Sequence, residues 1–197
     1  VIAVPAHAVA AIAIAVGEHA VEARPQLPLQ AFAQRQQCRR PGMRHEIGAG
    51  ITVMGVGIAD GCTDLARHYA AERRQGGNPH PVPIHDHADV QRQLLDMAAE
   101  TEALRGLLFA TANFAELASR APDTHQGKQA RALSQWLLPI VKTVGGEIAF
   151  RTASAAIQVL GGAGYTREWP VEQALRDARV LTVFEGTTGI QAFDLTH

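Results

Sequence analysis

Near its C-terminal end the chain reads "RDARVLTVFEGTTGIQAFDL". One carboxylate, Glu185, stands there between an apolar run (Val180, Leu181, Val183, Phe184) and Gly186, with Thr187, Thr188 and Gly189 directly after it. An acid against apolar residues, followed by a flexible turn rich in hydroxyls, suits a catalytic base. A helix end with a surface acid gives the same pattern, and Glu185 alone does not separate the two. A second stretch, "QVLGGAGY", places Gln158 in the last turn of a predicted helix, ahead of Gly161, Gly162 and Gly164. Glycines there admit backbone conformations closed to other residues. Their exposed amides suit a phosphate or the edge of a heterocycle. Taken singly, a helix C-cap explains this stretch as well.

Other clusters carry less. Gly55, Gly57 and Gly61 in "ITVMGVGIADG" have the look of a dinucleotide fingerprint, but no second strand ending in an acid follows at the required distance. A long helix with a small-residue face for close packing is the better expectation. His85, Asp86, His87 and Asp89 in "HDHAD" could hold a metal, yet they sit in a proline-rich loop without a further partner at ligand spacing. A solvated loop, and no metal site, is expected. Cys38 and Cys62 fit neither a disulfide framework nor a metal motif and are expected as packing or surface thiols. Arg176, Asp177 and Arg179 are expected to tie helices together as ion pairs rather than to do chemistry.

The elements that must position these residues are helices. The 197 residues are 47% hydrophobic, 5% aromatic and rich in alanine, which favours helix over a β-sandwich. Apolar residues recur at helical spacing over about 51–75, including Met54, Ile58, Leu65 and Tyr69, and "QGGNP" stops that helix. A second helix is predicted over about 90–118 and a third over about 129–159. Pro139 should bend the third or cost it one backbone hydrogen bond, and Gly145–Gly146 should loosen it. Shorter helices follow over about 171–179 and 189–194. Short links between three long amphipathic helices predict an all-α, up-down bundle. Residues 1–48, rich in Ala, Arg, Gln, Pro and His, show no sustained period, so an irregular N-terminal segment is expected ahead of a helical domain at 49–197. A formal net charge of −1 argues against a nucleic-acid protein. No apolar run is long enough for a membrane span. The opening "VIAVPAHAVAAIAIAV" lacks the basic start of a signal peptide, and a reducing, cytoplasmic setting is the expectation.

From Gly55 to its end the sequence resembles the C-terminal helical domain of the acyl-CoA dehydrogenase flavoprotein family. The residues that carry this are "ERRQGG", "AIQVLGGAGYTREWPVEQALRDARV" and "FEGTTGIQAFDL", the last two being highly specific in order and spacing. "PVPIHDHADVQRQLLDM" and "GTTGIQAFDL" look like the longer-chain bacterial branch. The resemblance implies an up-down four-helix bundle, in a homodimer or homotetramer that binds FAD between a β domain and that bundle. It implies α,β-dehydrogenation of an acyl-CoA thioester, of the fatty-acid β-oxidation type. A glutamate takes the α proton, flavin N5 takes the β hydride, and electron-transferring flavoprotein accepts the electrons.

Carried over by position, Glu185 resembles the catalytic base and Gly186 the residue beside the substrate thioester. Thr187, Thr188 and Gly189 match a stretch that contacts FAD. Gln158, Val159, Leu160, Gly161 and Gly162 match a segment that meets the FAD of an adjacent subunit. Arg73 matches an arginine that meets the FAD pyrophosphate across the dimer, with Gln75 nearby. Where the family often has an aromatic, this chain has Gly76. The chemistry is consistent with these roles. A thioester α proton is very weakly acidic, so its removal needs a base and a stabilised enolate oxygen. Burial against Val183, Phe184 and an acyl chain would raise the acid's pKa towards neutrality.

Residues 1–48 do not resemble the family's β domain; they read either as a segment foreign to the domain behind it, from a truncated gene or a shifted reading frame, or as an ordinary divergent N-terminal segment. Two readings stay open on the sequence. One is the part of an acyl-CoA dehydrogenase that carries the base and one wall of the flavin site. The other is a non-catalytic helical remnant or oligomerisation module without the flavin-binding β domain.

Overall fold

The structure, a computed structural model, describes residues 41–183 and 185–196; of 41–48 and 196 it describes the backbone alone. The opening apolar segment, Cys38 and Phe184 lie outside the described residues. Helix α1 spans Pro41–Glu72, α2 Ala88–Arg120, α3 His125–Leu160, α4 Val171–Val180 and α5 Thr188–Thr196. Single 3-10 turns sit at Ile84–Asp86 and Gly161–Tyr165. The first helix begins inside the stretch read as irregular and ends three residues short of Gln75. Arg73, Arg74 and Gln75 leave it in extended form, with Arg74 bridged to Pro83.

The directions of the helices follow from their packed residues. Thr52 of α1 meets Gly145 of α3, Ala59 meets Ile148, and Cys62, Ala66 and Ala70 lie with Ala153, Ala156 and Val159. Numbers rise together, so α1 and α3 run parallel. Leu104 of α2 joins Ala59 and Ile148, while Met97 joins the Ala66–Ala153 cluster, so α2 runs the other way. Val171 packs at the Val159 end of α3, and Ala178 with Leu181 packs beside Ala149 and Ile51. Helix α4 is therefore also antiparallel to α3. The result is an all-α, up-down four-helix arrangement centred on α3, which touches each of the other helices.

Small residues set the closeness of the α1–α3 pair. Ala59, Ala66, Ala70, Ala149, Ala153 and Ala156 are fully buried, and a ridge of alanines lets helix axes approach at the near end of their usual range. Gly145 and Gly146 do not loosen α3, which runs through them unbroken. Their missing side chains are used for contact: a Cβ on Gly145 would stand 3.2 Å from Thr52 Cγ2, and one on Gly146 2.8 Å from Thr182 Cγ2. Tertiary packing here outweighs the weak helix propensity of glycine. Pro139 lies buried within the same continuous helix. Buried hydroxyls of Thr63 and Thr101 donate to the carbonyls four residues back, at 2.7 and 2.8 Å, which satisfies them without a tertiary partner. Among the described residues no helix is long and apolar enough to cross a membrane.

Candidate functional site

Because α1 and α3 run parallel, their C-terminal ends lie side by side. There they form an open hollow of about 510 Å³ lined by Tyr69, Arg73, Gln75, Ile84 and the run from Gln158 to Ala163. Seven sequence-predicted residues, Arg73, Gln75, Gln158, Val159, Leu160, Gly161 and Gly162, thus come to one place. Val159 and Leu160 have their side chains in the core, which leaves Arg73, Gln75, Gln158, Gly161 and Gly162 as the exposed members. Gly161 takes φ +61 as the C-cap of α3, and its N–H donates to the Gln158 carbonyl. Among the described residues nothing lies within 4 Å of where a Cβ on Gly161 or Gly162 would be, so a flat group has room against that backbone. Two helix C-termini bring partial negative charge to the hollow. The Arg73 guanidinium supplies the offsetting cation for an anionic ligand.

The segment that carries Arg73 is fixed by backbone hydrogen bonds. Ile84 N–H donates to Arg73 O at 2.8 Å and Gln75 N–H to Val82 O at 2.9 Å. In extended chain, residues two apart share a side, which puts Arg73 and Gln75 together. Gly76 has φ +67, and a Cβ there would meet the His87 ring at 2.9 Å. The His87 ring donates from Nε2 to the Gln75 carbonyl at 2.8 Å. An imidazole thus backs the corner at which the sequence lacks an aromatic.

The second group of predicted residues lies elsewhere. Glu185 is exposed on the turn between α4 and α5, with φ +59. That is the left-handed region, which costs a non-glycine residue about 1–2 kcal/mol. Gly186 follows at φ +104, and Thr187, Thr188 and Gly189 are exposed, with Thr188 opening α5. The turn is held from two sides. Gln191 Nε2 donates to the Glu185 carbonyl at 3.3 Å, and the ammonium of Lys142, on α3, donates to the Gly186 carbonyl. The expected burial of Glu185 against its apolar neighbours is not provided by Val183, which is itself 49% exposed; Phe184 is outside the described residues. Lys142 and Gln158 are sixteen residues apart on α3, about 24 Å of helix. The Glu185 turn and the hollow are thus separate sites on one rod.

A family model described as the acyl-CoA dehydrogenase C-terminal domain matches residues 47–196. The chain belongs to the acyl-CoA dehydrogenase family. It is 41% identical over 150 residues to 3-methylmercaptopropionyl-CoA dehydrogenase of Ruegeria pomeroyi, covering 74% of this chain and 25% of that protein. It is 38% identical over 139 residues to a broad-specificity linear acyl-CoA dehydrogenase of Mycobacterium tuberculosis, covering 66% and 23%. Among solved structures, butyryl-CoA dehydrogenase from Megasphaera elsdenii matches with a TM-score of 0.64 at 25% identity, over 78% of this chain and 36% of that one. The chain spans about a quarter of the length of these two curated relatives.

The remaining predicted residues take structural places. Gly55 packs on Gly145, while Gly57 and Gly61 face open space on α1. His85 pairs with Asp86 at 3.1 Å, and Asp89 accepts from Arg92 and Gln93 at 2.9 and 2.6 Å. Those two donors hold the Asp89 carboxyl below its ordinary range, the Arg92 hydrogen bond most of all. Arg176 pairs with Glu172 within α4. Arg179 reaches Glu147 on α3 at 3.9 Å and stacks over Phe150 with its guanidinium 5.3 Å from the ring centroid. Cys62 is buried, and burial pushes its thiol up to about 12. Two features passed over at the sequence level belong to the sites: Tyr69, wedged edge-on against Trp169 at 5.2 Å beside the hollow, and Lys142. The signal for Lys142 was present, since it is one of only two lysines and interrupts the apolar "LLPIVKTVGG".

Proposed function

We propose that this chain serves in FAD-dependent α,β-dehydrogenation of acyl-CoA thioesters, contributing the base and part of the flavin site. The hollow that gathers Arg73, Gln75, Gln158, Gly161 and Gly162 carries this reading. An exposed guanidinium beside unobstructed glycine backbone suits the anionic and flat parts of a dinucleotide cofactor. When bound, FAD supplies the acceptor for the hydride leaving the substrate β carbon. Glu185 takes the α proton from an exposed position on a turn held at both carbonyls, and Gly186 leaves room for the thioester beside it. Loss of one proton and one hydride leaves the α,β-unsaturated thioester. The separation of the two groups along α3 supports a pairing in which the Glu185 turn and Thr187–Gly189 face one flavin while the hollow faces the flavin of an adjacent subunit. That reading makes the protein a homodimer or homotetramer, with electron-transferring flavoprotein as acceptor.

The test is spectral. The purified chain is mixed with FAD and then, without oxygen, with a series of acyl-CoA thioesters. Uptake of flavin followed by bleaching of its oxidised absorbance is expected, and Glu185→Gln keeps the flavin while losing the bleaching. A chain that stays colourless after FAD addition overturns the reading.

A further inference from the structure

We propose that Lys142 is the positioning residue for the candidate base: its ammonium holds the Gly186 carbonyl and so fixes the turn that presents Glu185. This rests on Glu185 being the base.

Lys142 is 2% exposed, in the middle of α3. A buried ammonium costs several kcal/mol unless its protons find acceptors. The acceptor here is a carbonyl 44 residues away in sequence, on the turn itself. Room for that contact is made one helical turn along, at Gly146. A Cβ there would stand 2.8 Å from Thr182 Cγ2 and 3.3 Å from the Leu181 carbonyl carbon, so the chain entering the turn lies directly on α3. Leu181 is buried with Ala149 and Ile51 and anchors the same stretch. Lys142, Gly146 and Ala149 follow at helical spacing and form one face under the turn.

The electrostatics agree with the geometry. Burial lowers the Lys142 pKa, and the negative charge of Glu185 works against that lowering. Glu147 of α3 and Arg179 of α4 are paired with each other, and neither contributes to the Lys142 shift. A cation that is stabilised by a carboxylate stabilises that carboxylate in return. The strained φ of Glu185 persists only because surrounding contacts over-determine it, and a general base must hold its place within a fraction of an ångström.

The experiment uses Lys142→Met, which tolerates burial, and Lys142→Arg, which restores donor and charge. In the chain labelled with carboxyl-13C glutamate, Glu185→Gln identifies the Glu185 resonance. Lys142→Met is expected to raise the midpoint of that resonance's pH titration by roughly one unit, and Lys142→Arg to return it most of the way. In the flavin-loaded protein, Lys142→Met should slow bleaching by acyl-CoA about tenfold or more with little change in the half-saturating concentration. If the Met variant does not fold, Lys142→Gln, which loses the charge and keeps a donor, should show the same midpoint shift. An unmoved midpoint in a folded Met or Gln variant overturns the proposal. Normal bleaching by Lys142→Met beside an inactive Glu185→Gln overturns the role of Lys142 and leaves the base in place. An active Glu185→Gln overturns the base assignment itself.

Discussion

Gly55 of α1 and Gly145 of α3 meet so closely that a methyl group on Gly55 would stand 2.6 Å from the Gly145 carbonyl oxygen. The obstacle is helix backbone, which cannot swing aside. Gly55→Ala gains about 1 kcal/mol in helix propensity, while overpacking against backbone costs about 1–3 kcal/mol or more. A net loss of roughly 1 kcal/mol or more is expected, read as a lower urea midpoint. On the same helix Gly57→Ala and Gly61→Ala meet nothing within 4 Å among the described residues and should instead stabilise by about 0.5–1 kcal/mol.

At the hollow, stability and ligand binding are separable. Arg73 is exposed and Gly162 faces open space, so Arg73→Met and Gly162→Val should leave the urea midpoint nearly unchanged. Each is expected to weaken FAD binding about tenfold or more, through the lost cation or the covered backbone. Fluorescence titration of FAD measures this. Affinity unchanged in both variants would remove the hollow from the flavin site.

Cys62 should make stability depend on pH at the alkaline end. Its thiol is pushed from 9.0 to about 12 by burial. The unfolded chain therefore ionises first. The contribution is complete below pH 9 and is lost as pH rises from about 9 to about 12, at no more than about 1.4 kcal/mol per pH unit. Urea melts of the unsubstituted chain and Cys62→Ala, compared at pH 8 and pH 10, give the difference. The native thiol should also resist a thiol reagent at pH 8 and react on unfolding.

Thr152 is 1% exposed, and among the described residues its hydroxyl has no hydrogen-bond partner. A buried hydroxyl left unpaired costs about 1–3 kcal/mol. Thr152→Val keeps the shape and removes that cost, so a stabilisation of about 1 kcal/mol is expected from thermal or urea melts. Thr101→Val removes a hydroxyl that is paired with the Met97 carbonyl and should give no such gain.

The helices were legible in the sequence to the extent that their signals are local. Apolar spacing places α2 and α3 within a few residues of their observed bounds, Ala88–Arg120 and His125–Leu160. The start of α1 at Pro41 was not visible, because the composition of that stretch carries no clear period. Gly145–Gly146 reads as a weak point when propensity alone is considered; the structure uses both as contact surfaces, a tertiary fact that local rules do not contain. The residues of the hollow were named from motifs. Their meeting, however, depends on α1 and α3 running parallel, which spacing along one helix does not reveal. Lys142 escaped because its partner is a backbone carbonyl, and a carbonyl leaves no mark in the sequence.

Helix α3 carries the hollow at one end and the Lys142 contact well before it, with rigid backbone between them, so it acts as a ruler with a phase. Inserting one residue between 142 and 158 would turn the two ends by about 100° and part them by a further 1.5 Å or so. Substitutions along that span tune packing, whereas single insertions or deletions would put the Glu185 turn and the hollow out of step together. Seven inserted residues would nearly restore the angle but lengthen the rod by about 10 Å. The span between 142 and 158 is therefore constrained in length more strictly than in composition.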